Sequence, residues 1–194
     1  MWCFVLGCAG FLLFFLYDVL QMKAPKWAHG ALFFLGLACL AVGTGGLLLA
    51  APRAGALLLT ARGIAALAAG LLFFWLLLHS LFFSLPKETY RDASGRRPLV
   101  DTGLYALCRH PGVLFFTALY ACLWLAFGGG LLLLSAAAYS ALNLLYGLMQ
   151  DVWVFPRQFA GYADYRRRTP FLIPNGNSVR ACMRTWRFGV RAEW

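Results

Sequence analysis

Charge is what this chain has least of. Of its 194 residues only 7 are Asp or Glu, and charged side chains of both signs make up 12%, about half the share of an ordinary soluble domain. Hydrophobic residues reach 62% and the mean hydropathy is +0.71. That leaves too little polar surface to wrap a soluble core and too much apolar surface for a disordered chain. Both classes are excluded.

Paired cysteines are missing as well. Cys3, Cys8, Cys39, Cys108, Cys122 and Cys182 contain no Cys-x-x-Cys pair, and most lie in apolar runs. Neither a zinc site nor a disulfide framework is signalled, and most of the cysteines read as small hydrophobes; no metal is expected. The net charge of +10 sits between apolar blocks rather than along a polar groove, so no nucleic-acid partner is expected either. No repeat or linker divides the chain, and 1–194 reads as a single integral-membrane domain.

What is abundant is apolar sequence of bilayer-crossing length. A spanning helix takes about 20 mainly apolar residues, and five stretches qualify: 2–22, 28–51, 63–85, 112–128 and 130–149. The first has no basic residue before it and is followed by Lys23 and Lys26, which marks a retained helix rather than a signal peptide. Gly128, Gly129 and Gly130 separate the last two and permit a tight turn, so spans 4 and 5 should form a helical hairpin whose short first arm allows partial crossing. The expected fold is all-α and polytopic: three N-terminal spans in 1–85, a core in 86–174 that contains the hairpin, and a cytoplasmic C-terminal segment.

Orientation follows from Lys and Arg, which accumulate in short cytoplasmic loops. Lys23, Lys26, Lys87, Arg91, Arg96, Arg97, Arg109 and the eight arginines after residue 150 fall on one side, fifteen against Arg53 and Arg62 on the other. The N-terminus is therefore expected outside, and residues 86–110 and those after about 150 inside. The tail adds a pattern. Arg180, Arg184, Arg187 and Arg191 run one position behind Val179, Met183, Trp186 and Val190, giving adjacent basic and apolar stripes suited to a helix in the headgroup layer. A positive-inside tail without specific role is the plainer reading.

Residues able to carry chemistry concentrate in two of the inward segments. One runs Leu99-Val100-Asp101-Thr102-Gly103-Leu104-Tyr105-Ala106-Leu107-Cys108-Arg109-His110-Pro111-Gly112 into the fourth span. Proline suits the first turn of a helix, and the free N–H groups behind it favour anions. Arg109 adds a planar fork that fits carboxylate or phosphate, and Gly112 opens the backbone to a ligand. Taken singly, Arg109 is also an interfacial anchor and Pro111 a helix start. The other segment is Gln150-Asp151 followed by Phe159-Ala160-Gly161-Tyr162-Ala163-Asp164-Tyr165-Arg166-Arg167-Arg168-Thr169 and a Pro170 to Pro174 stretch. Asp151 can hydrogen-bond a ribose or an amine or simply end a helix, Tyr162 and Tyr165 share a face, and the arginine run suits headgroups. His29 and His79 read as structural. Asp18 is an intramembrane acid, and so a functional candidate, but its nearness to Lys23 favours snorkelling to the interface.

Together, in this order, the two segments resemble the isoprenylcysteine carboxyl methyltransferases and related integral-membrane methyltransferases. The pattern is LVxxGxYxxxRHP from Leu99 to Pro111, a hydrophobic hairpin, an acidic helix end, a Tyr-x-x-Tyr and a closing Pro-x-x-Ile-Pro, covering 86–174. Val113 stands where that family usually has Tyr, Gln150-Asp151 where it commonly has paired glutamates, and Gly161 is followed directly by Tyr162. The resemblance implies an S-adenosylmethionine pocket formed by Val100, Gly103, Tyr105, Arg109, His110, Pro111, Asp151 and Tyr162. It also implies catalytic roles for Arg109 and His110, and a lipophilic acceptor that enters from the bilayer among membrane lipids. An acidic helix end is likewise similar to the membrane sterol reductases, which makes NADPH the alternative cofactor. A non-catalytic membrane protein of the same fold is the third reading.

Overall fold

The computed structural model describes residues 1–21, 27–51, 58–83 and 98–186. The basic residues Lys23, Lys26, Arg53, Lys87, Arg91, Arg96, Arg97, Arg187 and Arg191 lie outside the described residues, as do Val190 and the side chain of His29. Among the described residues the regular elements are helices. The elements are α1 (Trp2–Gln21), α2 (Trp27–Leu49), α3 (Ala61–Leu78) with a π-helical turn (His79–Phe83), and α4 (Leu104–Leu107). They continue with α5 (Pro111–Phe127), α6 (Gly130–Met149) with a second π-helical turn (Gln150–Val154), α7 (Phe155–Gln158), α8 (Tyr162–Arg168) and α9 (Gly176–Trp186). The protein is an all-α, polytopic integral membrane protein.

Of the five expected spans, four helical stretches are long and apolar enough to cross a bilayer: Trp2–Gln21, Gly30–Leu49, Ala61–Phe82 and Gly130–Gln158. The fifth, α5, has 17 residues, about 25 Å at 1.5 Å each against a hydrocarbon core of about 30 Å. Its ends explain its length. Pro111 occupies the first helical position, where the missing N–H costs nothing. At the other end Gly128 (φ 71°) and Gly129 (φ 91°) adopt backbone that only glycine takes freely. The chain reverses there into α6, as the hairpin expectation required.

In lipid, helices associate through close backbone approach and satisfied polar groups rather than hydrophobic exclusion. Helices α1 and α2 do this with glycine: a Cβ on Gly10 would lie 2.7 Å from the Gly36 carbonyl, and one on Gly43 2.7 Å from the Cys3 carbonyl. Phe11, Phe14, Phe116, Tyr120 and Tyr139 fill the space between α1, α5 and α6, with Phe11 edge-on to Phe116 at 5.7 Å. The buried hydroxyls are partnered, as hydrocarbon demands. Tyr139 donates to the Phe4 carbonyl at 2.9 Å, and Tyr120 and Thr44 share a hydrogen bond across α5 and α2. Leu12, Phe34, Ile64, Leu71 and Trp75 are exposed on the outside of the bundle, where lipid replaces water.

Both π-helical turns lie at the same end of the bundle, after α3 and after α6. The second turns its acid inward: Asp151 is 2% exposed while its neighbour Val152 is 61% exposed. Asp18, expected to reach outward, is instead buried, because the Gln150 amide of this same turn donates to its Oδ2 at 2.8 Å.

Candidate functional site

The motif segment is held in place by four neighbouring parts of the chain. Gly103 (φ 59°) starts the short α4, and its N–H donates to Thr185 Oγ1 of α9 at 2.8 Å. The Tyr105 hydroxyl donates to the Ser80 carbonyl in the π-helical turn of α3 at 3.0 Å, and the Tyr165 hydroxyl to the Tyr105 carbonyl at 2.7 Å. Ahead of α5, the N–H groups of Arg109 and His110 donate to the carbonyls of Pro170 and Phe171, at 2.9 and 3.2 Å. The motif segment and the closing proline-rich stretch, far apart in sequence, are thus stitched together by their backbones.

At the centre stands a buried polar cluster. Arg109 grips Asp151 with both arms of its fork, Nε to Oδ1 at 2.7 Å and NH2 to Oδ2 at 3.0 Å. Its remaining nitrogen, NH1, donates to the carbonyls of Arg166 (2.8 Å) and Thr169 (2.9 Å). Asp151 further accepts the Tyr162 hydroxyl at 2.6 Å, with Arg166 Nε 3.4 Å from Oδ2 and His110 Nε2 3.6 Å from Oδ1. Burial, then the bond to Asp151, pushes the Tyr162 phenol well above its ordinary range, so it stays a donor. Arg109, His110, Asp151 and Tyr162 therefore do come together. The fork of Arg109, expected to face a ligand, is spent on Asp151 and two carbonyls, because bidentate pairing is the strongest use a buried guanidinium has.

His110 lies flat on Phe155, with ring centroids 5.6 Å apart and planes 5° apart, and Phe171 closes its other flank at 5.0 Å. Gly147 makes room for it, since a Cβ there would sit 3.3 Å from Nδ1. Among the described residues, His110 Nε2 is the buried side-chain nitrogen without a hydrogen-bond partner. Such atoms are rare enough to require a reason. Gly112, expected to open the backbone to a ligand, faces α3 and its π-helical turn, where a Cβ would meet Ser80, Leu77 and Leu81 at 3.7–3.8 Å. Pro111 is buried at the same place, and Val100 is half-buried near the start of the segment. Burial pushes both Tyr105 and Cys108 up to about 12, so the Cys108 thiol is protonated at neutral pH and is no nucleophile.

Beside the cluster an open cleft of about 500 Å³ is lined by Pro156, Phe159, Gly161, Tyr162, Ala163, Arg166 and Arg167. Tyr162 and Arg166 belong to both, forming the wall between the cleft and Asp151. Of the residues expected to bind a cofactor, Tyr162 alone lines this space. Phe159, Arg166 and Arg167 lie in the second candidate segment without an expected cofactor role: the arginine run reads first as a headgroup patch, and a single Phe beside a span carries no signal of its own. Arg166 is half-exposed and Arg167 largely exposed, which leaves guanidinium surface turned toward the cleft. Among the described residues no cluster of three His, Cys, Asp or Glu side chains is placed to hold a metal.

Compared with protein-family models, with curated proteins and with solved structures, the chain has no match in any of the three.

Proposed function

We propose that this protein is an integral-membrane methyltransferase that uses S-adenosylmethionine and a lipophilic acceptor reached from the bilayer. The observation that carries the reading is the convergence of Arg109, His110, Asp151 and Tyr162 into one buried cluster at one end of the bundle, walled from an adjoining cleft by Tyr162 and Arg166. Those four residues come from the two segments that carry the family likeness.

The cleft suits such a cofactor in its donor chemistry. Arg166 and Arg167 would receive the amino-acid carboxylate, and Phe159 and Tyr162 would flank the flat ring; His110 stays behind the wall, its Nε2 turned to Asp151 at 3.6 Å. When bound, S-adenosylmethionine supplies a methyl group on a positively charged sulfur, which an unprotonated thiol, carboxylate or amine displaces directly. The chain needs no covalent nucleophile; it has to orient the partners and exclude water. Arg109 acts through Asp151 as a positioning residue, and Asp151 in turn fixes Tyr162 and Arg166 at the wall. His110, behind that wall, orients the donor through Asp151 and Tyr162. We place the N-terminus outside and the cleft on the cytoplasmic side, on the distribution of basic residues; cysteines introduced at Arg53 and Arg96 should then label from opposite sides, and labelling from one side would reverse that topology.

The saturation of Arg109 and the cleft lining, which includes only Tyr162 of the expected cofactor residues, favour a purely structural cluster, and guanidinium groups in the cleft receive a phosphate as readily as a carboxylate. A ligand at about a hundred times its Kd stabilises a folded protein by about 2.7 kcal/mol. The detergent-solubilised protein should melt later with S-adenosylmethionine or its demethylated product and not with NADPH, and Arg166→Gln should shrink the shift. A shift with NADPH alone would select the reductase reading. No shift with either, in folded protein, would leave the non-catalytic one.

A further inference from the structure

Helix α9 has two committed faces. It is capped by a reciprocal pair, Ser178 N–H to Asn175 Oδ1 at 2.9 Å and Asn175 N–H to Ser178 Oγ at 3.0 Å, so it is a built helix rather than a trailing end. Its inner face meets the motif segment: Thr185 accepts the Gly103 N–H, and the Trp186 ring stacks on His79 at 5.3 Å, where α3 ends. Its outer face carries Val179 and Met183, which are 38% and 59% exposed, and Trp186 at the boundary keeps part of its edge exposed while it stacks on His79. Arg180 and Arg184 alternate with them and are exposed as well. Residues 175–194 hold four arginines against one acid, Glu193.

We infer that α9 is a strap between the acidic surface of the bilayer and the motif segment, its outer face seated on anionic headgroups and its inner face ordering Gly103 and α4. Three observations select the bilayer as occupant. Docking of Trp186 on His79 places α9 at the end of a membrane-spanning helix, which is headgroup depth. Apolar side chains interleaved with arginines fit the boundary between acyl chains and phosphates. The excess of arginine is complementary to anionic lipid and not to a second copy of an equally basic tail. Gly103 supplies the coupling. Its positive φ suits glycine alone, its N–H has Thr185 as acceptor, and losing that acceptor frees the first turn of the motif.

The test uses the full chain in nanodiscs of phosphatidylcholine, with or without phosphatidylglycerol, and needs no cofactor. Hydrogen exchange of residues 101–107 should slow by about tenfold when the anionic lipid is included, as expected when two arginines gain headgroup contacts. Arg180→Gln with Arg184→Gln should erase that difference. Thr185→Val should also erase it while leaving lipid contact intact. A photo-crosslinker replacing Met183 should yield a lipid adduct in the wild-type background and in Thr185→Val. An adduct to a second copy of the chain, no adduct, or exchange that ignores lipid charge would overturn the strap.

Discussion

Two buried carboxylates lie on either side of Gln150, and they are solved differently. Asp151 is surrounded by cations and a phenol: the Arg109 fork, Arg166, and the Tyr162 hydroxyl. Asp18, at the end of α1, is 4% exposed, nearly as buried as Asp151. Among the described residues it accepts from the neutral Gln150 amide and faces the neutral Tyr146 phenol, with no cation against it, beside a further lacing of Gln158 to Gln21 and Gln21 to Tyr17. Equal burial therefore carries unequal meaning. One acid fixes the geometry of a polar site, and the other belongs to a neutral seam that ties α1 to the end of α6.

That contrast is open to direct attack. The largest effect should come from Arg109→Ala, which strips Asp151 of its principal partner; breaking a buried pair costs about 3–5 kcal/mol, and thermal or denaturant unfolding in detergent should show it. Arg109→Lys keeps the charge and loses the fork, so a smaller loss of about 1.5–3 kcal/mol is expected. Equal melting of the lysine variant and wild type would mean that the fork geometry is dispensable. Smallest of all is Asp18→Asn, because an amide can still accept from Gln150; the expected change is within about 0.5 kcal/mol. If it rivals Arg109→Ala, Asp18 is a compensated charge after all and the contrast fails.

An alkaline titration sharpens the same point. Tyr162 holds its proton above the ordinary phenol value of 10.0, so above that pH the folded chain binds more protons than the unfolded one and stability falls as pH rises. Tyr162→Phe should flatten that fall. A slope unchanged by the substitution would place the titration elsewhere.

The spans were legible because they answer to one physical quantity, apolar length against bilayer thickness. Expected 2–22 became Trp2–Gln21, and 130–149 became Gly130–Met149. The glycine turn at 128–130 was legible for the same sort of reason, since positive φ leaves few choices of residue. The site was legible only as a set of residues. Nothing in Gln150-Asp151 announces a π-helical turn, which depends on how α6 meets its neighbours, and without that turn the inward aim of Asp151 has no sequence signature. Arg109 was recognisable as a fork, but whether a fork closes on a ligand or on a carboxylate of the same chain is decided by tertiary contact. Thr185, which holds Gly103 from 82 positions away, carried no signal at all beyond the stripes of the helix it sits on.

The central claim is methyl transfer at the end of the bundle that holds Asp151. Membranes containing the protein, supplied with S-adenosylmethionine labelled in its methyl group and separated into lipid and protein fractions, should show label covalently attached to a lipophilic acceptor. Membranes carrying Arg166→Gln at equal abundance should show far less. Label confined to unreacted cofactor in both samples, although the folded protein binds that cofactor, would contradict the account.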